Sequence, residues 1–136
     1  NGWEAYMKRR RVAMIAGKGV HVNPIPDAVR IGNTITSGAI PGVDPRAGKA
    51  PDDMEAQTRL VFAHVKELVE ALGGTLDDIL KFEVKLRHLA DRPILNKVWL
   101  ETFPDESDRP VRHTVESPSM TGNYLIQIEF TAVLEG

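Results

Sequence analysis

Arg112 lies in the run R-P-V-R-H-T at 109–114, two residues before Thr114. Strand alternation puts both side chains on one face, and a guanidinium on a strand near a sheet edge can clamp a carboxylate through two parallel hydrogen bonds. The plain alternative, a surface arginine on an exposed strand face, is the default reading on the residue types alone. The other candidates are weaker. His21, His64, His88 and His113 have no carboxylate or second histidine at ligand spacing, so no metal site is expected. Ser37 stands in T-S-G, not in a nucleophile elbow. Gly17-Lys18-Gly19 lacks the rest of a phosphate loop and reads as turn chemistry. The basic residues 8–11 read as a solvated tail, since one short run in a net acidic chain gives little field. The chain has no cysteine, which removes a thiol nucleophile, thiolate metal sites and disulfides together.

These candidates sit in a chain of 136 residues with 17 Lys+Arg against 19 Asp+Glu, enough for one domain. The near-neutral balance speaks against a general nucleic-acid binder, and no apolar run approaches a membrane span. The apolar residues 12–16 are too short for a signal-peptide core, so a cytoplasmic protein is expected. The chain begins at Asn1, and Met7 or Met14 would serve equally as a start. Residues 1–19 are read as a partly flexible N-terminal extension, with the first dozen set aside from the fold, and 20–136 as the single domain.

The elements that must position the candidates follow from periodicity. Residues 28–37 read as a β-hairpin turning at Gly32-Asn33. A Gly- and Pro-rich loop covers 38–51. Asp52 caps a helix with Glu55 three residues on, Met54, Val61, Val65, Leu68 and Leu72 form its buried stripe, and Gly73-Gly74 stops it. In 80–87, Leu80, Phe82, Val84 and Leu86 alternate with charged residues as a strand with one wet face. A second helix starts at Asp91, tolerates Pro93 in its first turn and ends before Pro104. Residues 111–116 and 124–134 are two further strands. Two amphipathic helices cover one face of such a sheet, giving a two-layer α+β domain whose other face finishes its burial against a second subunit.

Several segments occur together in the order and spacing of one family: T-I-T-S-G-A-I-P-G-V-D-P at 34–45, Gln57, D-D-I-L-K at 77–81, Asn96, P-V-R at 110–112 and I-E-F-T-A at 128–132. The chain resembles the Rid family, the YjgF-type reactive intermediate deaminases. The resemblance implies a chorismate-mutase-like fold, a mixed sheet with two helices on one face, and a homotrimer with active sites in clefts between subunits. It implies hydrolysis of enamines and imines of 2-oxo acids, of the 2-aminoacrylate and 2-iminopropionate type, to the oxo acid and ammonia. On the matching positions, Arg112 grips the substrate carboxylate, Ser37 and Gly38 line the cleft, and Asn96 lies beside it. The implied partners are a small carboxylate substrate and further copies of the chain, with no nucleic acid, membrane, metal or cofactor.

Three departures bear on that implication. Ile25 stands where archetypal members carry a tyrosine, and Thr114 where they often carry cysteine. The last strand reads Gln127-Ile128-Glu129 in place of E-I-E, whose first glutamate helps hold and activate the attacking water. Glutamine can orient a water but cannot take its proton in the useful pH range. Glu129 faces the same side, about 7 Å along the strand. Arg112, Thr114, Gln127 and Glu129 are therefore the expected catalytic set, with Ser37, Gly38, Asn96 and Ile25 binding substrate and activity weakened or shifted in substrate. The alternative is a non-catalytic carboxylate-binding or regulatory module using the same cleft. A ribonuclease reading, also attached to the family, is opposed by the acidic balance and by the want of an in-line histidine pair.

Overall fold

The computed structural model describes residues 8–16 and 23–135; Gly17-Lys18-Gly19 and His21 lie outside them. Chain order is β1 (Arg11–Ala13), β2 (Ala28–Ile31), β3 (Thr34–Ser37), β4 (Ile40–Pro41), α1 (Met54–Ala71), β5 (Ile79–Leu86), α2 (Arg92–Thr102), β6 (Val111–Glu116) and β7 (Ile126–Val133). The strands form one sheet in the order β1-β2-β3-β7-β5-β6, with β4 also pairing β7. β5 and β6 run parallel, joined through α2, and the other pairings are antiparallel. β6 is thus an edge strand.

Both helices lie on one face of the sheet, the expected two-layer α+β arrangement. Ile126, Ile128, Phe130 and Ala132 of β7 and Phe82, Val84 and Leu86 of β5 are buried against Val61, Val65, Leu68, Leu95 and Val98. Phe82 ties the layers together: it stacks on Phe62 of α1 and meets Trp99 of α2 edge-on, with centroids 5.8 and 5.4 Å away. Gly42 lets the strand-to-helix connection cross α1 closely, since a Cβ there would run into the Gln57 backbone. Gln57 is fully buried and satisfied, donating to the Pro51 and Asn123 carbonyls and accepting from the Leu125 amide.

The opposite face carries no helix. Register places Val12, Val29, Thr36, Thr131, Lys81 and Val111 in one row across it. A second row holds His113, Glu83 and Glu129, and a third Val115, Lys85 and Gln127.

The structure departs from the sequence expectations at four places. Arg11–Ala13, set aside with the extension, is a strand: it pairs with β2, and Ala13 and Ile15 are buried. Asp27 anchors this segment by accepting from the Ile15 amide at 2.7 Å. The cap of α1 is Asp53, which accepts from Ala56 N, while Asp52 accepts from Asn123 Nδ2. Leu80 is 55% exposed because an irregularity between Ile79 and Lys81 shifts the register, so Ile79 turns inward instead. The loop at 38–51 contains β4, paired to Ile128 and Gln127.

Candidate functional site

Arg112 sits opposite Phe82 on β6, so its side chain leaves the sheet on the helix side. Its Cζ lies 5.0 Å from the Trp99 ring centroid, and its Nη2 donates to Asn96 Oδ1 at 2.7 Å. Asn96 and Trp99 are three residues apart on α2 and therefore share a face of the helix. Arg112 is half-buried and makes no ion pair among the described residues. Burial, and secondarily the positive charge of Arg92, lower its pKa, but a guanidinium stays charged at any working pH. A partly desolvated cation without a counter-charge favours an anion at its free N–H groups. Thr114 follows on the same strand face, and its buried Oγ1 has no hydrogen-bond partner among the described residues. Asn96, Trp99, Leu100 and Arg112 line one shallow hollow.

Gln127 and Glu129 lie elsewhere. Alternation on β7 turns them to the open face, where they line a cleft of about 220 Å³ with Ala39, Glu83, Lys85 and His113. Lys85 is directly opposite Gln127, and Glu83 stands between His113 and Glu129. Within one chain the expected catalytic set is therefore split: Arg112 and Thr114, with the expected binding residue Asn96, on the helix side of the edge strand, Gln127 and Glu129 on the far side.

The remaining expected residues are placed as follows. The Ser37 hydroxyl accepts from Phe130 N at 2.9 Å and donates to Gly38 O at 2.8 Å, so it ties β3 to β7. The Gly38 amide donates to Asp27 O. A Cβ at Gly38 would meet nothing within 4 Å, so the position opens onto free space beside Ala39 and the cleft. Ile25 is exposed, its amide donating to Asn23 O, and lines neither the hollow nor the cleft. Of the histidines, His64 is buried on Val43 O at 2.7 Å and His113 lines the cleft; no metal-binding group occurs among the described residues.

Sequence reasoning missed Trp99 and Leu100 in the hollow and Glu83, Lys85 and His113 in the cleft. The signals were present. Trp99 is one helical turn from Asn96, and Glu83 and Lys85 fall on the wet side of the alternating strand.

Comparison with known proteins adds five findings. The family model Endoribonuclease L-PSP matches residues 20–134. The chain is 36% identical over 114 residues to the 2-iminobutanoate/2-iminopropanoate deaminase of Escherichia coli K12, covering 82% of this chain and 88% of that one. It is 34% identical over 116 residues to a RutC family protein of Pyrococcus horikoshii, covering 84% and 90%. Among solved structures it superposes on the Escherichia coli YjgF gene product with a TM-score of 0.82 at 28% identity, covering 92% and 99%. Escherichia coli TdcF with bound serine gives 0.83 at 25% identity, with the same coverage.

Proposed function

This chain belongs to the Endoribonuclease L-PSP family, the YjgF/Rid proteins, and from that premise we propose that it hydrolyses imines and enamines of 2-oxo acids to the oxo acid and ammonia. The observation that carries the reading is Arg112, a half-buried guanidinium with no counter-charge of its own, held by Asn96 and lying over Trp99. It fits the α-carboxylate common to 2-imino acids and to serine, the ligand seen in TdcF. The deaminase name of the Escherichia coli relative points to the same substrate class.

The split of the expected residues supports a site made by two copies. The Arg112 hollow of one subunit would face the Gln127–Glu129 cleft of the next, a heterologous contact that closes into a ring. The open sheet face, with Val12, Val111 and Val133 exposed on it, supplies the surface to bury, and a homotrimer is the assembly proposed. Among the described residues no helix is long and apolar enough to cross a membrane, and the cytoplasm is the proposed location.

In the proposed reaction Arg112 holds the carboxylate and Gln127 orients a water over the C=N carbon. The water oxygen bonds to that carbon, the C=N π pair moves to nitrogen, and one water proton passes to that nitrogen through solvent, giving a carbinolamine. The hydroxyl proton then passes to the amino nitrogen, the C–N bond breaks with its electron pair on nitrogen as the C=O bond forms, and ammonia leaves from the 2-oxo acid. Positioning carries most of the acceleration, since a protonated imine is already electrophilic. Thr114 offers a hydroxyl beside the clamp, and Glu129 is the nearest carboxylate on the Gln127 strand. No cofactor enters the reaction.

Purified protein supplied with 2-iminobutanoate, generated in place by an amino-acid oxidase, should release 2-oxobutyrate faster than buffer, and Arg112→Ala should lose that acceleration. Equal rates with and without protein would refute the enzyme reading. Gln127 in the place of an acid favours one alternative, a carboxylate-binding module without turnover. Binding of 2-oxobutyrate that depends on Arg112, with no hydrolysis of any imine, would establish it. Two of the described histidines offer the nuclease sense of the family name no support: His64 is bound to a carbonyl in the core, and His113 lies on the far side of β6 from Arg112.

A further inference from the structure

We propose that Trp99 is a positioning residue of the carboxylate site, fixing the Arg112 guanidinium before ligand arrives; the inference rests on the reading of Arg112 as the clamp. An arginine side chain loses considerable rotamer freedom when it is held in one geometry. That loss weakens binding unless the free protein has already taken it. Here the side chain is held twice. Asn96 takes one N–H of Nη2 at 2.7 Å, and the Trp99 ring lies 5.0 Å from Cζ, within the range of an attractive cation–π contact.

Trp99 is itself immobilised. Phe82 meets it at 5.4 Å with rings at 77°, and Phe103 at 4.9 Å and 59°. The indole is only 9% exposed, so the guanidinium lies over a fixed wall of the core. The wall and Asn96 come from the same helix face, and Phe82 pairs with Arg112 across the strands, so helix and sheet together fix the clamp. An aliphatic side chain at 99 would fill part of the same volume without offering a negative ring face.

The experiment measures 2-oxobutyrate affinity of the full chain by titration calorimetry. Trp99→Leu should raise Kd by about tenfold, the middle of the range for a partly desolvated cation–π contact. Trp99→Phe, which keeps a ring face, should recover most of the loss. In turnover the Trp99→Leu effect should fall on KM, with kcat nearly unchanged. Phe62→Leu removes a ring of the same core that stacks on Phe82 and makes no ring contact with Trp99; it should lower Tm and leave Kd alone. Where Trp99→Leu does not fold, protein made with fluorinated tryptophans in a Trp3→Phe background gives the same reading. Fluorine withdraws charge from the ring face while preserving shape, and Kd should rise stepwise with its number. Unchanged affinity in Trp99→Leu or across the fluorinated series, or equal weakening by Phe62→Leu, would overturn the proposal. Arg112→Ala separates the two levels: if it binds 2-oxobutyrate as well as wild type, the clamp reading itself fails. If binding is lost there but not at Trp99, only this inference fails.

Discussion

Replacing Gln127 by glutamate should raise imine hydrolysis. In the proposed site the amide orients the attacking water but cannot take its proton. The new carboxylate would stand directly opposite Lys85 on β5, a cross-strand opposite-charge pair worth about 0.2–1 kcal/mol. Glu129 lies two residues along the same strand, about 7 Å away, and its repulsion through solvent-exposed surroundings is of the same order, about 1 kcal/mol or less. The two effects nearly cancel, so fold and assembly should be preserved. A positioned general base contributes ~10²–10⁴-fold. An ordinary carboxylate is a weak base at neutral pH, so the lower end applies: about 100-fold, or ~2.7 kcal/mol of barrier. The assay is 2-oxobutyrate release from oxidase-generated 2-iminobutanoate at matched subunit concentration. The gain should vanish in an Arg112→Ala background, because both groups act on one bound substrate. A rate no higher than wild type in a folded, fully assembled Gln127→Glu protein would refute the assignment of Gln127 to the water.

Gln57→Leu should cost about 3–5 kcal/mol in urea unfolding, because it leaves the Leu125 amide and the Pro51 and Asn123 carbonyls without their partner in a fully buried place. Arg87 donates to the carbonyls of Tyr124, Met120 and Gly122. Arg87→Ala should speed amide exchange through residues 117–124, and Arg87→Lys should not rescue it, since one ammonium cannot reproduce the fork. On the outer face of the helices, hydrogen bonds from Lys97 and then Arg59 lower the Glu55 pKa, and one from Arg59 lowers that of Glu101. Depressed carboxyl groups contribute stability above their ordinary range and lose it as pH falls through their lowered values. These groups are exposed, so Arg59→Gln should lower stability only slightly at neutral pH, and that small difference should vanish as pH falls through the carboxyl range.

The elements that bury a long periodic face were readable in the sequence. The stripe from Met54 to Leu72 and the alternation from Ile126 to Ala132 each name one side of the core, and both are buried as expected. What escaped was set by backbone pairing or tertiary competition. β1 has three residues and one alternation, too little pattern to distinguish it from a tail. Asp52 and Asp53 are equally good caps by type, and the amide of Asn123 takes Asp52 out of contention. Leu80 fits a perfect alternation until the register slips after Ile79. At the site, the types at 112, 114, 127 and 129 were legible. Their separation onto two faces was not, because it depends on which strands are neighbours and in which register.

The two-copy site is tested most directly by mixing subunits. One variant carries Arg112→Ala, the other Gln127→Ala with Glu129→Ala, and the two are co-expressed at equal levels. If the hollow of one copy completes the cleft of the next, each variant alone is inactive. Random mixing then leaves about a quarter of the interfaces with both halves intact, and about a quarter of wild-type imine hydrolysis returns. A mixed assembly no more active than the two variants alone would contradict the account and place the whole site within one chain.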